Sequence, residues 1–304
     1  MAEINSYEDF LHEAVNSNDN IIVMTAENRA AFRGLPAKIG QRFIDTGICE
    51  QTLVGMAAGF ALRGRTPLVH ALACFLTLRA FEFIRTDAGY PNLPLKLVGS
   101  FPGFLSTANG PTHQAIEDVA LMAGIPNVNV FCPADLQDLL ICLPEIINSP
   151  NPYYIRYNDI PAAVEHSIEF APGKAELIND GDDLTIITYG FMLGESVKAA
   201  ELLKQSGISA AVINLRTVKP IDREMILRFA NKTKMLVLIE DHFEDTGLMS
   251  VISRLLVREK LMIPVLPVAL KDKWFKPAML DEILEFEGFT ANKIAEKIKA
   301  FLNK

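Results

Sequence analysis

Apolar and polar positions alternate between two textures along this chain. Short, mostly apolar runs at Ile21–Met24 (IIVM), Pro67–Ala73 (PLVHALA), Lys96–Gly99 (KLVG) and Asn127–Phe131 (NVNVF) predict strands buried on both faces. Between them, CEQTLVGMAAGFALRG (Cys49–Gly64) and FLTLRAFEFIRTDAG (Phe75–Gly89) carry apolar residues at helical spacing. Each closes on a glycine, a common helix stop. Strands alternating with helices predict an α/β fold with a parallel sheet covered by helices.

The segment Ser167–Asp183 breaks the rhythm with Pro172, Gly173, Gly181 and paired acids, and it reads as a linker. The alternation then restarts. Leu184–Gly190, Ala210–Leu215 and Met235–Glu240 predict strands, and Gly194–Gly207 an amphipathic helix. The chain ends in a short helix, a loop at Gly288 and a terminal helix capped near Thr290. The 304 residues suit two domains at about 150 residues each. We place them at 1–166 and 184–304, joined by the linker 167–183.

Composition excludes several classes. Half the residues are hydrophobic and 22% are charged, which is ample for a core and unlike a disordered chain. Lys and Arg total 29 against 37 Asp and Glu, a net charge of −8. An acidic balance argues against tracking nucleic-acid phosphates, yet leaves room for a local basic pocket. The N-terminus lacks the basic-then-apolar layout of a signal peptide, and no run approaches the roughly 18 apolar residues of a membrane span. Cys49, Cys74, Cys132 and Cys142 form no Cys-x-x-Cys pair and read as buried thiols of a reduced, cytoplasmic chain.

No phosphate-cradling loop of the G-x-x-x-x-G-K-[ST] or G-x-G-x-x-G kind is present. Either the chain holds no nucleotide or diphosphate, or another polypeptide holds its phosphates. Four segments carry candidate chemistry. Glu50 opens a very apolar helix, where a carboxylate gains from the helix N-terminus; position alone favours a capping acid of the first turn. In GPTHQ (Gly110–Gln114), Gly and Pro force a turn that places His113 at a helix start, as a proton shuttle or as a turn cap. Phe75, Leu78, Phe81 and Ile84 form a stripe that reads first as core, flanked by Arg79 and Arg85. In YYIRYND (Tyr153–Asp159), Arg156 interrupts an apolar strand, as an anion hook or as a salt-bridged structural residue. His12, His70, His166 and His242 show no metal-ligand spacing with Cys or acids, so we expect no transition-metal site.

Taken together, these segments resemble the C-terminal half of the transketolase family over essentially the whole chain. The resemblance implies a pyrimidine-binding α/β domain followed by a smaller C-terminal α/β domain. It implies that the domain gripping the diphosphate, with Mg²⁺ or Ca²⁺, belongs to a separate N-terminal subunit, and that two copies of each subunit assemble into an α2β2 heterotetramer. DTGICEQTLVGMAAGFALRG is similar to the segment carrying the family's cofactor-activating Glu, which falls on Glu50. HALACFLTLRAFEFIR resembles the aromatic segment against which the aminopyrimidine of thiamine diphosphate stacks. Phe75 is the best match for the ring, with Leu78, Arg79 and Phe81 beside it. GPTHQAIEDVALMAG resembles the substrate-channel segment, with His113 contacting hydroxyls and moving protons. PYYIRY resembles the segment whose Arg, here Arg156, binds a substrate phosphate. NLRTVKPID and LIEDH resemble the third domain.

The implied activity is transfer of a two-carbon ketol unit from a ketose to an aldose, with Glu50 in an apolar niche lending a proton to the pyrimidine ring. Asn109 stands where the family commonly has an acid, and Phe101 near a place usually basic. Arg29 and Arg33 offer an anion contact from another direction. These departures leave modified, nucleotide-linked and unphosphorylated sugars open as substrates. Related readings are an oxo-acid dehydrogenase β-like subunit, a 1-deoxyxylulose-phosphate-synthase-like subunit, and a non-catalytic structural partner.

Overall fold

A computed structural model describes residues 4–303 as two α/β layers sharing one face. The first part runs α1 (Tyr7–Ser17), β1 (Ile21–Thr25), α2 (Leu35–Ile39), β2 (Phe43–Asp45), α3 (Glu50–Leu62), β3 (Thr66–Leu72), α4 (Ala73–Arg79) and α5 (Phe81–Phe83). It continues with β4 (Lys96–Ser100), α6 (Asp118–Ala123), β5 (Asn129–Phe131), α7 (Leu136–Asn148) and β6 (Tyr153–Tyr157). The second part runs β7 (Glu176–Asn179), β8 (Leu184–Thr188), α8 (Met192–Lys204), β9 (Ala210–Asn214), β10 (Thr217–Lys219) and α9 (Arg223–Lys232). It ends with β11 (Leu236–Phe243), α10 (Leu248–Arg258), β12 (Val265–Leu270), α11 (Leu280–Glu287) and α12 (Ala291–Leu302).

The larger sheet has the order β10-β5-β6-β4-β3-β1-β2 and the smaller β12-β11-β8-β9-β7. The central strands β1, β4 and β6 of the first sheet, and β8 and β9 of the second, are buried at every position. That explains their apolar runs, since each fully buried Val, Leu or Ile contributes about 1.5–3 kcal/mol. Pairing is parallel except for β7 against β9 and β10 against β5.

Four expectations change. The stretch read as linker contains β7, an edge strand of the second sheet, so its second half is part of that domain. Strand β10 leaves the second domain to complete the first sheet beside β5, which ties the two parts together. The helix expected over Phe75–Gly89 is broken at Ala80 into α4, the three-residue α5 and a π-type turn at Ile84–Gly89. The aromatic stripe therefore splits: Ile84 is fully buried, Phe81 and Phe75 are half-buried, and Leu78 is exposed. Cys49 is also exposed, unlike the other three cysteines. No described helix is long and apolar enough to cross a membrane.

Candidate active site

The candidate residues converge on the carboxyl edge of the first sheet, where open parallel sheets place ligands. After β2, Asp45 organises the turn into α3. Its Oδ1 accepts from the amides of Gly47 (2.9 Å) and Glu27 (3.2 Å), and its Oδ2 from Arg29 Nε (2.9 Å). Burial pushes the Asp45 carboxyl up, but the bonds from Gly47, Arg29 and Glu27 outweigh it and hold it below its ordinary range. Gly47 turns the chain at φ +69°. Glu50 then becomes the first residue of α3, capped by Cys49 without a side-chain bond.

Glu50 is 3% exposed and shares α3 with Leu53, Val54 and Ala57, which are fully buried; Ile48, just before the helix, is mostly exposed. Its Oε1 accepts from Arg79 Nη1 at 3.4 Å. The Arg79 guanidinium carbon lies 3.7 Å from the centre of the Phe75 ring. Phe75 in turn meets the His113 ring edge-to-face, with centroids 5.1 Å apart. Glu50, Arg79, Phe75 and His113 thus form one contiguous row, although 63 positions separate the first from the last.

His113 does not open a helix as expected. It follows a 3-10 stretch at Gly103–Thr112, and its amide donates to the Gly110 carbonyl (2.9 Å). Thr112 Oγ1 lies 2.9 Å from Nδ1 and orients the ring, while Ser106 Oγ donates to the His113 carbonyl (2.8 Å). Asn109 is exposed in the same loop, its carbonyl accepting from Thr112 Oγ1 (3.4 Å).

One expected anion contact is corrected. Arg156 is 2% exposed and held between buried carboxylates. Nε donates to Asp118 Oδ2 (2.9 Å), Nη1 to Asp241 Oδ1, and Nη2 to the carbonyls of Ala115 (3.3 Å) and Asp241 (3.4 Å). Such a buried guanidinium ties the two domains together, and its charge is already met by two carboxylates. Arg29 bonds Asp45 through Nε and Nη2, yet its side chain stays 49% exposed. His166, for which the sequence shows no metal-ligand spacing with acids, lies between Asp135 Oδ2 and Glu176 Oε2, each at 2.8 Å, with Asp138 close by. The residues missed were Asp118, Asp241 and Ser106. Asp241 has a faint signal as an acid at the end of an apolar strand; Ser106 has none.

The donor set suits a flat heteroaromatic ring. A buried carboxyl, an aromatic face and a half-buried imidazole lie in line, and the group now covering the Phe75 face is a planar cation on a side chain that is 46% exposed. Ile48 just before α3, Met56 on α3, and Leu78, Phe83 and Tyr90 across the break are exposed. No phosphate-binding loop accompanies it among the described residues.

Comparison with known proteins shows the family. A profile described as the transketolase pyrimidine binding domain matches residues 2–160, and one described as the transketolase C-terminal domain matches residues 173–294. A 6-deoxy-6-sulfo-D-fructose transketolase subunit of Clostridium sp. (strain MSTE9) is 35% identical over 293 residues, 95% of this chain and 91% of its own. One of the apulose-4-phosphate transketolase subunits of Phocaeicola vulgatus is 29% identical over 98% of this chain and 97% of its own length. A 1-deoxy-D-xylulose-5-phosphate synthase of Synechococcus sp. (strain JA-2-3B'a(2-13)) is 34% identical, but the chain spans only 42% of it. A solved split gene transketolase, described as an inactive beta4 tetramer, superposes with a TM-score of 0.87 at 33% identity over 97% of this chain and 96% of that one. The chain belongs to the transketolase family and combines its pyrimidine-binding and C-terminal domains.

Proposed function

We propose that this chain is the C-terminal subunit of a two-polypeptide, thiamine diphosphate-dependent transketolase. A separate N-terminal subunit holds the diphosphate and its divalent cation, and the assembly contains two copies of each. The observation carrying this reading is the row Glu50–Arg79–Phe75–His113 at the sheet's carboxyl edge, bordered by exposed apolar residues and without a phosphate cradle of its own. Exposed apolar residues clustered around a site suit a partner surface.

When bound, thiamine diphosphate supplies a carbon nucleophile able to cleave a bond beside a ketose carbonyl. This chain's residues do the rest. Glu50, its position fixed by the α3 entrance, would present its buried carboxyl to a pyrimidine nitrogen. Phe75 presents an apolar face to the ring, and Arg79 withdraws from that face. Leu78 and Phe81 border the same side. His113, oriented by Thr112, hydrogen-bonds substrate hydroxyls and moves protons. Asn109 meets the acceptor end. With Arg156 buried between carboxylates, a substrate anion is read by other groups, the exposed Arg29 among them, or is absent.

The test is reconstitution. Mixed with an N-terminal subunit, thiamine diphosphate and Mg²⁺, the chain should transfer a ketol unit from a ketose panel to aldose acceptors. Each subunit alone should be inactive. Release of carbon dioxide from pyruvate without ketol transfer would favour the decarboxylating synthase reading instead.

A further inference from the structure

The loop Phe101–Ala115 links β4 to α6 and carries His113. Its path is costly: Phe101, Gly103, Thr107 and Gly110 have φ of +55°, +56°, +48° and +70°. Positive φ at non-glycine residues persists only where the surroundings enforce it. Here the second domain supplies that enforcement twice.

Beneath the loop stands Asp241, near the end of β11. A Cβ built on Gly103 would lie 1.5 Å from Asp241 Oδ2, so the loop can settle there only with glycine. Asp241 Oδ1 holds Arg156, whose Nη2 donates to the Ala115 carbonyl, and the Gly103 amide donates to that same carbonyl (2.8 Å). Both ends of the loop are thereby pinned to one ion pair. On the flank, a Cβ on Gly110 would lie 2.5 Å from Pro277 Cγ. Phe275 and Phe289 meet Phe104 edge-to-face at 5.2 and 5.3 Å. Ser106 passes the constraint on through its bond to the His113 carbonyl.

We propose that the second domain is the template that positions His113, and that Pro277, packed on Gly110, is a positioning residue for substrate binding. The domain touches none of Glu50, Phe75 or Arg79 through these contacts, so its effect falls on the substrate side and spares the cofactor side. The inference rests on reading His113 as substrate-facing, but its mechanical half is measurable without that reading.

Pro277 is exposed, so its replacement leaves the core intact. In the reconstituted complex, Pro277→Gly should raise KM for the sugars roughly tenfold, as expected for a small misplacement of a positioning group. The kcat should fall as well, since His113 also moves protons, while the cofactor affinity stays near wild type. In the full chain alone, backbone amides of 103–115 should exchange hydrogen faster. Pro277→Val, which keeps an apolar wall, should restore both. Gly110→Ala should raise KM similarly, and the double variant with Pro277→Gly should be milder than the product of the two. Unchanged KM with unchanged exchange, or KM and cofactor affinity worsening together, would overturn the proposal. If the wild-type complex transfers no ketol unit, the functional reading fails, and the exchange data still decide whether Pro277 holds the loop.

Discussion

Arg79 lies across Phe75, its guanidinium carbon 3.7 Å from the ring centre, while its Nη1 reaches Glu50 at 3.4 Å. One flexible cation therefore occupies both the aromatic face and the carboxyl that the proposed cofactor ring would use. A cation–π contact at an exposed site contributes about 0.5–1 kcal/mol, and displacing it weakens ring binding by a similar amount. Arg79→Ala in the reconstituted complex should tighten thiamine diphosphate binding about two- to fivefold, measured by titration calorimetry. Weaker binding would mean that Arg79 anchors the ring.

Glu50→Gln keeps the shape of the side chain and removes the acid. Turnover in the complex should fall at least about a hundredfold, the range for loss of a proton-transferring group. Sedimentation should show the same assembly as wild type. Turnover within a few-fold of wild type would remove Glu50 from the chemistry.

Arg156→Met should act on stability and leave substrate preference alone. It strands Asp118 and Asp241 as buried, unpaired carboxylates, a loss of about 3–5 kcal/mol. Denaturant unfolding should show the loss. KM values for phosphorylated and neutral ketoses should move by the same factor; a selective rise for the phosphorylated one would restore Arg156 as an anion contact.

His166 links the domains as an imidazolium facing Asp135, Asp138 and Glu176, with Arg216 nearby bonded to Glu176 (3.2 Å). Burial pulls the imidazole down, but the bonds from Asp135 and Glu176 outweigh it and raise it to about 10. A raised histidine stabilises fully below its unfolded value near 6.5, and its contribution fades as pH climbs toward 10. The thermal midpoint should decline across that window, and His166→Gln should flatten the decline. An equal slope in the variant would place the titration elsewhere.

The strands were legible wherever both faces are buried, because such runs are apolar at nearly every position: β1, β3, β4, β8 and β9 lie close to where the pattern puts them. Edge strands were not. β7, with one buried position in four, looked like linker, and β10, only three residues long, carries no periodicity. Glu50 was legible through its contrast with an apolar helix. Arg156 shows the opposite case. A lone Arg in an apolar strand reads the same whether it awaits a ligand or a buried partner, and its partners Asp118 and Asp241 lie 38 and 85 positions away.

Local composition by itself therefore determined the α/β character, the two-domain division, the acidic helix start at Glu50 and the want of a phosphate loop, since each depends on neighbours in the chain. Tertiary structure alone decided that Glu50, Arg79, Phe75 and His113 share one edge. It also decided that Arg156 faces inward and that the second domain props the His113 loop. Those outcomes depend on which distant carboxylates and prolines arrive beside a side chain, and only the folded packing of the chain sets that.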